Sequence, residues 1–291
     1  MTNRRHLQRI DHDSGHGRWT LLRRVPPPCL APYVREIQGY VEEGGPSILR
    51  KELPSGRVPM ILVFGPGFSL HDVDRPSRWR TLDRSFIAGM HERHALVGSK
   101  GDGLCMQVDF TPWGAHRFLA ADMDGLAGAV VDLNVILGPL VDRVEERLAE
   151  APGWEARFDV VEQLLAWRIL GSAYDNRLVR AAWQMITASS GAIRIDQVAR
   201  ALDCSRKHLA TLFRREVGLP PKALARIVRF EAAINELQAG RHGSLAELAA
   251  SCGYADQAHF NRDFLAFAGE SPRALRDRML PDGTGIMAES W

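Results

Sequence analysis

The chain carries a stretch of about 27 residues twice, and that repetition limits what its C-terminal half can fold into. VARALDCSRKHLATLFRREVGLPPKAL (198–224) returns as LAASCGYADQAHFNRDFLAFAGESPRAL (248–275). At the start the offset is 50: Val198 matches Leu248, Ala199 matches Ala249 and Leu202 matches Cys252. One extra residue in the second turn makes the offset 51 from there on. Ser205 then matches Asp256, His208 matches His259, Leu209 matches Phe260, Phe213 matches Phe264, Gly218 matches Gly269, Pro221 matches Pro272 and Leu224 matches Leu275.

Each copy has the chemistry of two helices joined by a tight turn. Ala199 and Ala249 are small enough to let a second helix cross closely. Asp203 and Gly253 stand in the turn, where residues tolerant of left-handed backbone are needed. Ser205 and Asp256 have side chains that can accept from the free N–H groups of a helix start. Leu209 with Phe213, and Phe260 with Phe264, are spaced i, i+4 and share the inward face. Gly218 and Gly269 can end that helix, and Pro221 and Pro272 suit the first position of the next. The unit is a helix-turn-helix, made twice.

On a helical wheel the second helix of the second copy has an apolar stripe of Phe260, Phe264 and Phe267. Opposite stand Gln257, Ala258, Asn261 and Arg262. Gln and Asn can pair bidentately with adenine, Arg with guanine, and Ala can touch a thymine methyl. The equivalent row in the first copy is Arg206, Lys207, Ala210 and Thr211, of which only the two basic residues reach far. A polar row opposite an apolar stripe is ordinarily a solvated face; the matched caps and turns in two copies argue for a shared purpose. Between the copies, PKALARIVRFEAAINELQAG predicts one helix over 221–239 closed by Gly240, about 28 Å long. Successive major-groove faces on one side of DNA lie about 34 Å apart, so the connector could seat the two polar rows in adjacent grooves.

These residues resemble the DNA-binding domain of AraC/XylS-type bacterial transcription regulators. The resemblance covers roughly the last hundred residues and rests on SRKHLATLFRREVG, ARIVRFEAAINEL and LAASCGYADQAHFNRDFLAFAGESPRAL. It implies that both second helices enter the major groove, with Arg206, Lys207, Ala210, Thr211, Gln257, Ala258, Asn261 and Arg262 facing bases. His208, Arg214, Arg229 and His259 become candidates for DNA-backbone contact or for structural roles. LPSGRVPMILVFG and DFTPWGAHRFL are similar to one N-terminal type found with this domain, which implies a cupin-like sensor barrel followed by helices that can dimerise. The implied partners are double-stranded promoter DNA, RNA polymerase, a small-molecule effector and a second copy of the chain.

The N-terminal half has a different rhythm. In LCMQVDF, Leu104, Met106, Val108 and Phe110 alternate with Cys105, Gln107 and Asp109, the period of a strand. VPMILVF (58–64) reads as a buried strand between PSG and GPG, and REIQGYVEE, SILRKEL, FSLHDVD and RWRTLDRSFIAG add short strands. Thr111 and Pro112 open a helix. GPLVDRVEERLAEA and WEARFDVVEQLLAWRIL then form a helical hairpin over about 139–170, with Leu140, Val144, Leu148, Phe158, Val161, Leu164, Leu165 and Ile169 inward. The expected fold is α+β in two domains: a cupin-like sensor and dimerisation domain over 1–171, an all-α double helix-turn-helix domain over 175–280, and a flexible tail over 281–291. The net charge of +2 is uneven, about +5 over 175–280 and −1 over 1–174, a mild bias compatible with a polyanion.

Other residues suggest other chemistry. His91 and His94 with Glu92 between them, and His71 on an earlier strand, could make a metal site and hence a cupin-type metalloenzyme. No further ligand follows at strand spacing, so loop histidines are the plainer account and no cofactor or enzyme activity is expected. A third reading gives the N-terminal half to dimerisation or protein contact alone. Cys29, Cys105, Cys204 and Cys252 show no C-x-x-C spacing and are expected to be reduced thiols; Cys29 lacks a cysteine cluster that would activate it. No stretch is apolar enough to span a membrane and the first residues lack a secretory signal, so the expected location is cytoplasmic.

Overall fold

Strand β10 (Leu104–Phe110) shows why the N-terminal half is built in two layers. Met106, Val108 and Phe110 go into the main core, while Cys105 joins a second apolar cluster on the opposite face. A strand covered on both faces must sit inside a sheet, and β10 pairs antiparallel with β3 (Val34–Glu42) and β5 (Val58–Val63). The computed structural model describes residues 6–14, 17–75, 77–172, 176–240, 244–279 and 286–288. The remaining strands are β1 (Gln8–Ser14), β2 (Gly17–Arg24), β4 (Ile48–Glu52), β6 (Phe68–His71), β7 (Trp79–Leu82), β8 (Phe86–Ala88), β9 (Ala95–Ser99) and β11 (Val130–Asp132). They form a seven-stranded sheet in the order β1-β2-β3-β10-β5-β8-β11 and a four-stranded sheet in the order β4-β9-β6-β7. Every pairing is antiparallel.

The expected barrel is therefore open. Among the described residues no ladder joins the two sheets; the second cluster, drawn from both, holds them face to face through Trp19, Tyr40, Ile48, Ile61, Leu82 and Phe86. The outer edge of β4 is met instead by the returning C-terminal segment, where Lys51 N–H donates to Ile286 O (2.9 Å) and Ala288 N–H to Leu49 O (3.0 Å). Residues 286–288, expected to be part of a flexible tail, are thus packed, and Ile286 is buried. The rest of that tail lies outside the described residues. Covering an edge in this way satisfies backbone groups that would otherwise recruit another chain.

Helix α1 (Pro112–Leu119) starts as its sequence requires, with Thr111 Oγ1 accepting from Gly114 N at 3.2 Å. After the short α2 (Leu133–Leu137) come α3 (Leu140–Glu150) and α4 (Trp154–Leu170), the expected hairpin. Helix α4 lies on β3 where Gly39 has no side chain: a Cβ there would meet the Trp154 ring at 2.3 Å. From Arg177 to Arg276 the C-terminal half is built of helices: α5 (Arg177–Ala188), α6 (Ile195–Ala201), α7 (Arg206–Val217), α8 (Pro221–Ala239), α9 (Leu245–Ser251), α10 (Gln257–Ala268) and α11 (Pro272–Arg276). The expected boundary near 171–175 falls between α4 and α5, partly outside the described residues. One apolar core runs through both halves, from Met106 and Phe158 to Phe213 and Phe264.

The aromatic stripe of α10 is buried within that core. Phe260, Phe264 and Phe267 are fully buried, and Phe264 packs edge-on to Phe230 of α8 with centroids 4.9 Å apart. Phe264→Ala leaves a cavity that these rings cannot collapse into, so it should destabilise the fold by about 3–5 kcal/mol, read as a lowered midpoint in chemical denaturation.

Candidate nucleic-acid interface and the cavity beside it

The two turns close as their residues dictate. Asp203 has a positive φ of 48° and Gly253 one of 74°. Ser205 Oγ accepts from His208 N at 3.1 Å, and Asp256 Oδ1 from His259 N at 2.6 Å, so each cap holds the first turn of its helix. Gly218 and Gly269 end α7 and α10 in left-handed backbone. At Gly218 the need is double, because φ is +89° and a Cβ would also approach Met123 O to 2.9 Å.

The two polar rows stand outward. Arg206, Lys207 and Thr211 on α7 are exposed and Ala210 is half-buried; Gln257, Ala258, Asn261 and Arg262 on α10 are all exposed. The four residues set apart for backbone or structural roles divide. His208 and Arg214 are exposed. His259 packs edge-on to Tyr254 at 5.2 Å. Arg229 turns inward: it donates to Gly191 O at 2.8 Å and lies over the Tyr254 ring, so it ties α8 to the turn between α5 and α6 and to the second unit.

What holds these helices was not visible in the repeat. Asp263 of α10 is buried and pairs with Arg226 of α8 at 2.8 Å; Arg226 also covers the Phe267 ring and reaches Glu92 of the N-terminal half at 3.2 Å. The last turns of α7 and α10 both abut the N-terminal half. Met123 N–H donates to Arg215 O at 2.8 Å. The buried Lys51 of β4 donates to Ala268 O at 3.0 Å and pairs with Glu270, which also holds Arg278. A cation at a helix C-terminus is favourable because the unpaired carbonyls there carry partial negative charge. Arg226 and Glu92 are 134 residues apart and Lys51 and Glu270 are 219 apart, so neither contact is written in the local sequence.

Between the sheets and α8 lies a cavity of about 460 Å³. Its walls include Cys105, Gln107 and Asp109, the face of β10 turned away from the main core, together with Arg23, Glu36, Arg50, Glu52 and Arg57. Helix α8 supplies Glu231, Ile234, Asn235 and Gln238. Glu231 reaches across to Arg57 (3.8 Å) and Gly56 N (3.3 Å). Burial pushes the Cys105 thiol up to about 12, which leaves it protonated and unreactive.

The candidate metal ligands do not converge. His71 bonds Ser69 Oγ at 2.8 Å, His91 bonds Arg93 O, and His94 packs against Gly269 at the end of α10. Among the described residues no group of three His, Cys, Asp or Glu side chains is placed to hold a metal ion, and no helix is long and apolar enough to cross a membrane.

A family model described as a helix-turn-helix domain matches residues 198–278. Among solved structures, the chain is similar to a probable AraC family transcriptional regulator from Rhodopseudomonas palustris, 30% identical over 35% of this chain and 97% of that one, with a TM-score of 0.32. It is similar to the C-terminal domain of AraT, a response regulator from Geobacillus stearothermophilus, at 27% identity over 39% and 90% of the two chains, TM-score 0.34. It is also similar to unsaturated fatty acid-bound ToxT from Vibrio cholerae, 13% identical over 87% of this chain and 97% of that one, TM-score 0.46. No curated protein matches.

His94 makes the contact between the halves sensitive to acid. Burial, with Lys51 and Arg93 nearby, pushes its imidazole down to about 4 from the usual 6.5. Between those values the unfolded chain binds the proton and the folded chain does not. This contribution to stability is therefore complete above about pH 6.5 and is lost progressively as pH falls toward 4. His94→Gln should flatten that part of a urea-midpoint profile against pH, in part only, because burial lowers His91 and His116 in the same direction.

Proposed function

The chain belongs to the AraC family of transcription regulators, and from that premise we propose that α7 and α10 read promoter DNA under the control of an effector held in the cavity. The observation that carries this reading is the position of α8. One face of that helix joins the two helix-turn-helix units, and another, with Glu231, Ile234, Asn235 and Gln238, lines the cavity. Whatever fills the cavity touches the rod that sets the spacing of the two polar rows.

In this reading the exposed rows, Arg206, Lys207, Ala210 and Thr211 with Gln257, Ala258, Asn261 and Arg262, face base edges. Basic residues such as Arg214 face phosphates, which supply affinity that falls with salt. The first row has two short side chains and reads less of the sequence than the second. The protein acts in the cytoplasm, where promoter DNA lies, works beside RNA polymerase, and carries out no catalysis of its own. A second copy of the chain joins through the end of α4, where Trp167 and Leu170 are exposed large apolar residues. Trp167→Glu should then shift the sedimentation of the protein from dimer to monomer.

Two measurements test the core of the proposal. Arg262→Ala should relax preference at one base pair by about 1–3 kcal/mol in a binding-site selection; a uniform loss on every sequence would show that Arg262 does not read a base. Asn235→Trp, from an exposed position on the cavity wall of α8, should mimic occupancy and shift DNA affinity about fivefold or more in gel-shift titrations. Unchanged affinity would break the link between cavity and DNA.

A further inference from the structure

The cavity is short of positive charge at one end. Arg57 serves three carboxylates at once, Asp109 at 3.3 Å, Glu231 at 3.8 Å and Glu36 at 3.9 Å. Arg23 pairs with Glu36 at 3.0 Å. Glu52, on β4, makes no hydrogen bond or ion pair among the described residues, and it keeps open surface because it faces the cavity. Its neighbour Arg50 is already engaged: it donates to Tyr40 Oη at 2.7 Å and lies over the rings of Trp19 (4.4 Å) and Tyr40 (4.8 Å). The other charges in the wall are satisfied too, Lys51 by Glu270 and Glu42 by Ser99 Oγ and Gly103 N.

Two of these carboxyls are held toward their neutral form. Burial pushes Glu52 up, Arg50 pulls it back and Asp109 adds to the rise. Burial pushes Glu36 up as well, even with Arg23 and Arg57 beside it. An anion entering here would meet Glu52 and compete for arginines that are already oversubscribed. A cation would meet an unpartnered carboxylate and relieve its neighbours. The wall also offers apolar surface from Leu21, Ile61, Phe68, Leu70, Phe86 and Ile234, beside polar groups such as Gln38, Gln107 and Gln238.

We propose that the cavity takes an amphipathic amine, whose ammonium group is held by Glu52 and whose apolar body packs between the sheets and α8. The bond is a charge-assisted N–H···O contact, the strong kind, and the volume is in the range of small-molecule sites. The proposal rests on the reading of the cavity as the effector site and adds the chemical class of what it binds.

The test uses the full chain and three probes of one skeleton, hexylamine, hexanoate and hexan-1-ol, with 2-phenylethylamine as a bulkier amine, in thermal-shift and calorimetric titrations. At least one amine should bind about tenfold or more tighter than the acid and the alcohol, the size expected for a hydrogen bond to a charged group. Glu52→Gln should abolish that preference and Glu52→Asp should keep part of it. Amine affinity should also fall as pH drops and Glu52 takes up a proton. The comparison of head groups needs no variant, so it stands even if a substitution disturbs folding. If hexanoate or hexan-1-ol binds as tightly as the amines, the amine assignment is overturned while the cavity remains an effector site. If neither amine binds, the assignment is overturned as well, and the DNA affinity of Asn235→Trp decides separately whether the cavity controls DNA binding.

Discussion

The contact on which the arrangement turns is the grip of the N-terminal half on the far ends of both recognition helices. Helix α7 ends with Arg215 O accepting from Met123 N–H, and α10 ends with Ala268 O accepting from the Lys51 ammonium. These are the carbonyls a helix cannot satisfy for itself. Each is met by a donor from the N-terminal half, so the end of each helix is held from outside its own unit. Arg226 extends the same logic, joining α8 to α10 through Asp263 and to the N-terminal half through Glu92. The units carry the reading surfaces, but their aim belongs to the whole chain.

The charge chemistry of β4 links that grip to the cavity. Arg50 and Glu52 line the cavity, and Lys51 between them ties to the end of α10. Successive side chains on a strand point to opposite faces. The strand therefore joins the cavity wall to the lysine at the end of α10, and α8 meets the cavity through its own wall residues. Both links include an ion pair, Lys51 with Glu270 and Arg57 with Glu231.

The helix-turn-helix units were legible because their signals are local. Ser205 and Asp256, Gly218 and Gly269, and Pro221 and Pro272 state the ends of helices within a few residues, and the repeat confirms each by its twin. Strand β10 was legible from alternation, β5 as an apolar run between turn residues, and β3 as a short strand candidate. Strand β1, QRIDHDS, was not, because a polar edge strand has no apolar face to betray it, and β9, ALVGS, is too short to show a period. The open form of the barrel was also out of reach, since sheet closure is decided by which edges find partners. The cavity is the clearest case: Glu36, Glu52, Asp109 and Glu231 meet only after folding, and nothing in their spacing announces it. The inward turn of Arg229 has the same cause, since its partner is a backbone carbonyl at Gly191.

The segment at 286–288 has a temporal side. It completes the edge of β4 and puts Ile286 into the cavity wall, yet it follows both helix-turn-helix units in the chain. During synthesis the N-terminal half emerges before residues 286–288, so the edge of β4 is covered and the cavity wall is whole only after both helix-turn-helix units have been made.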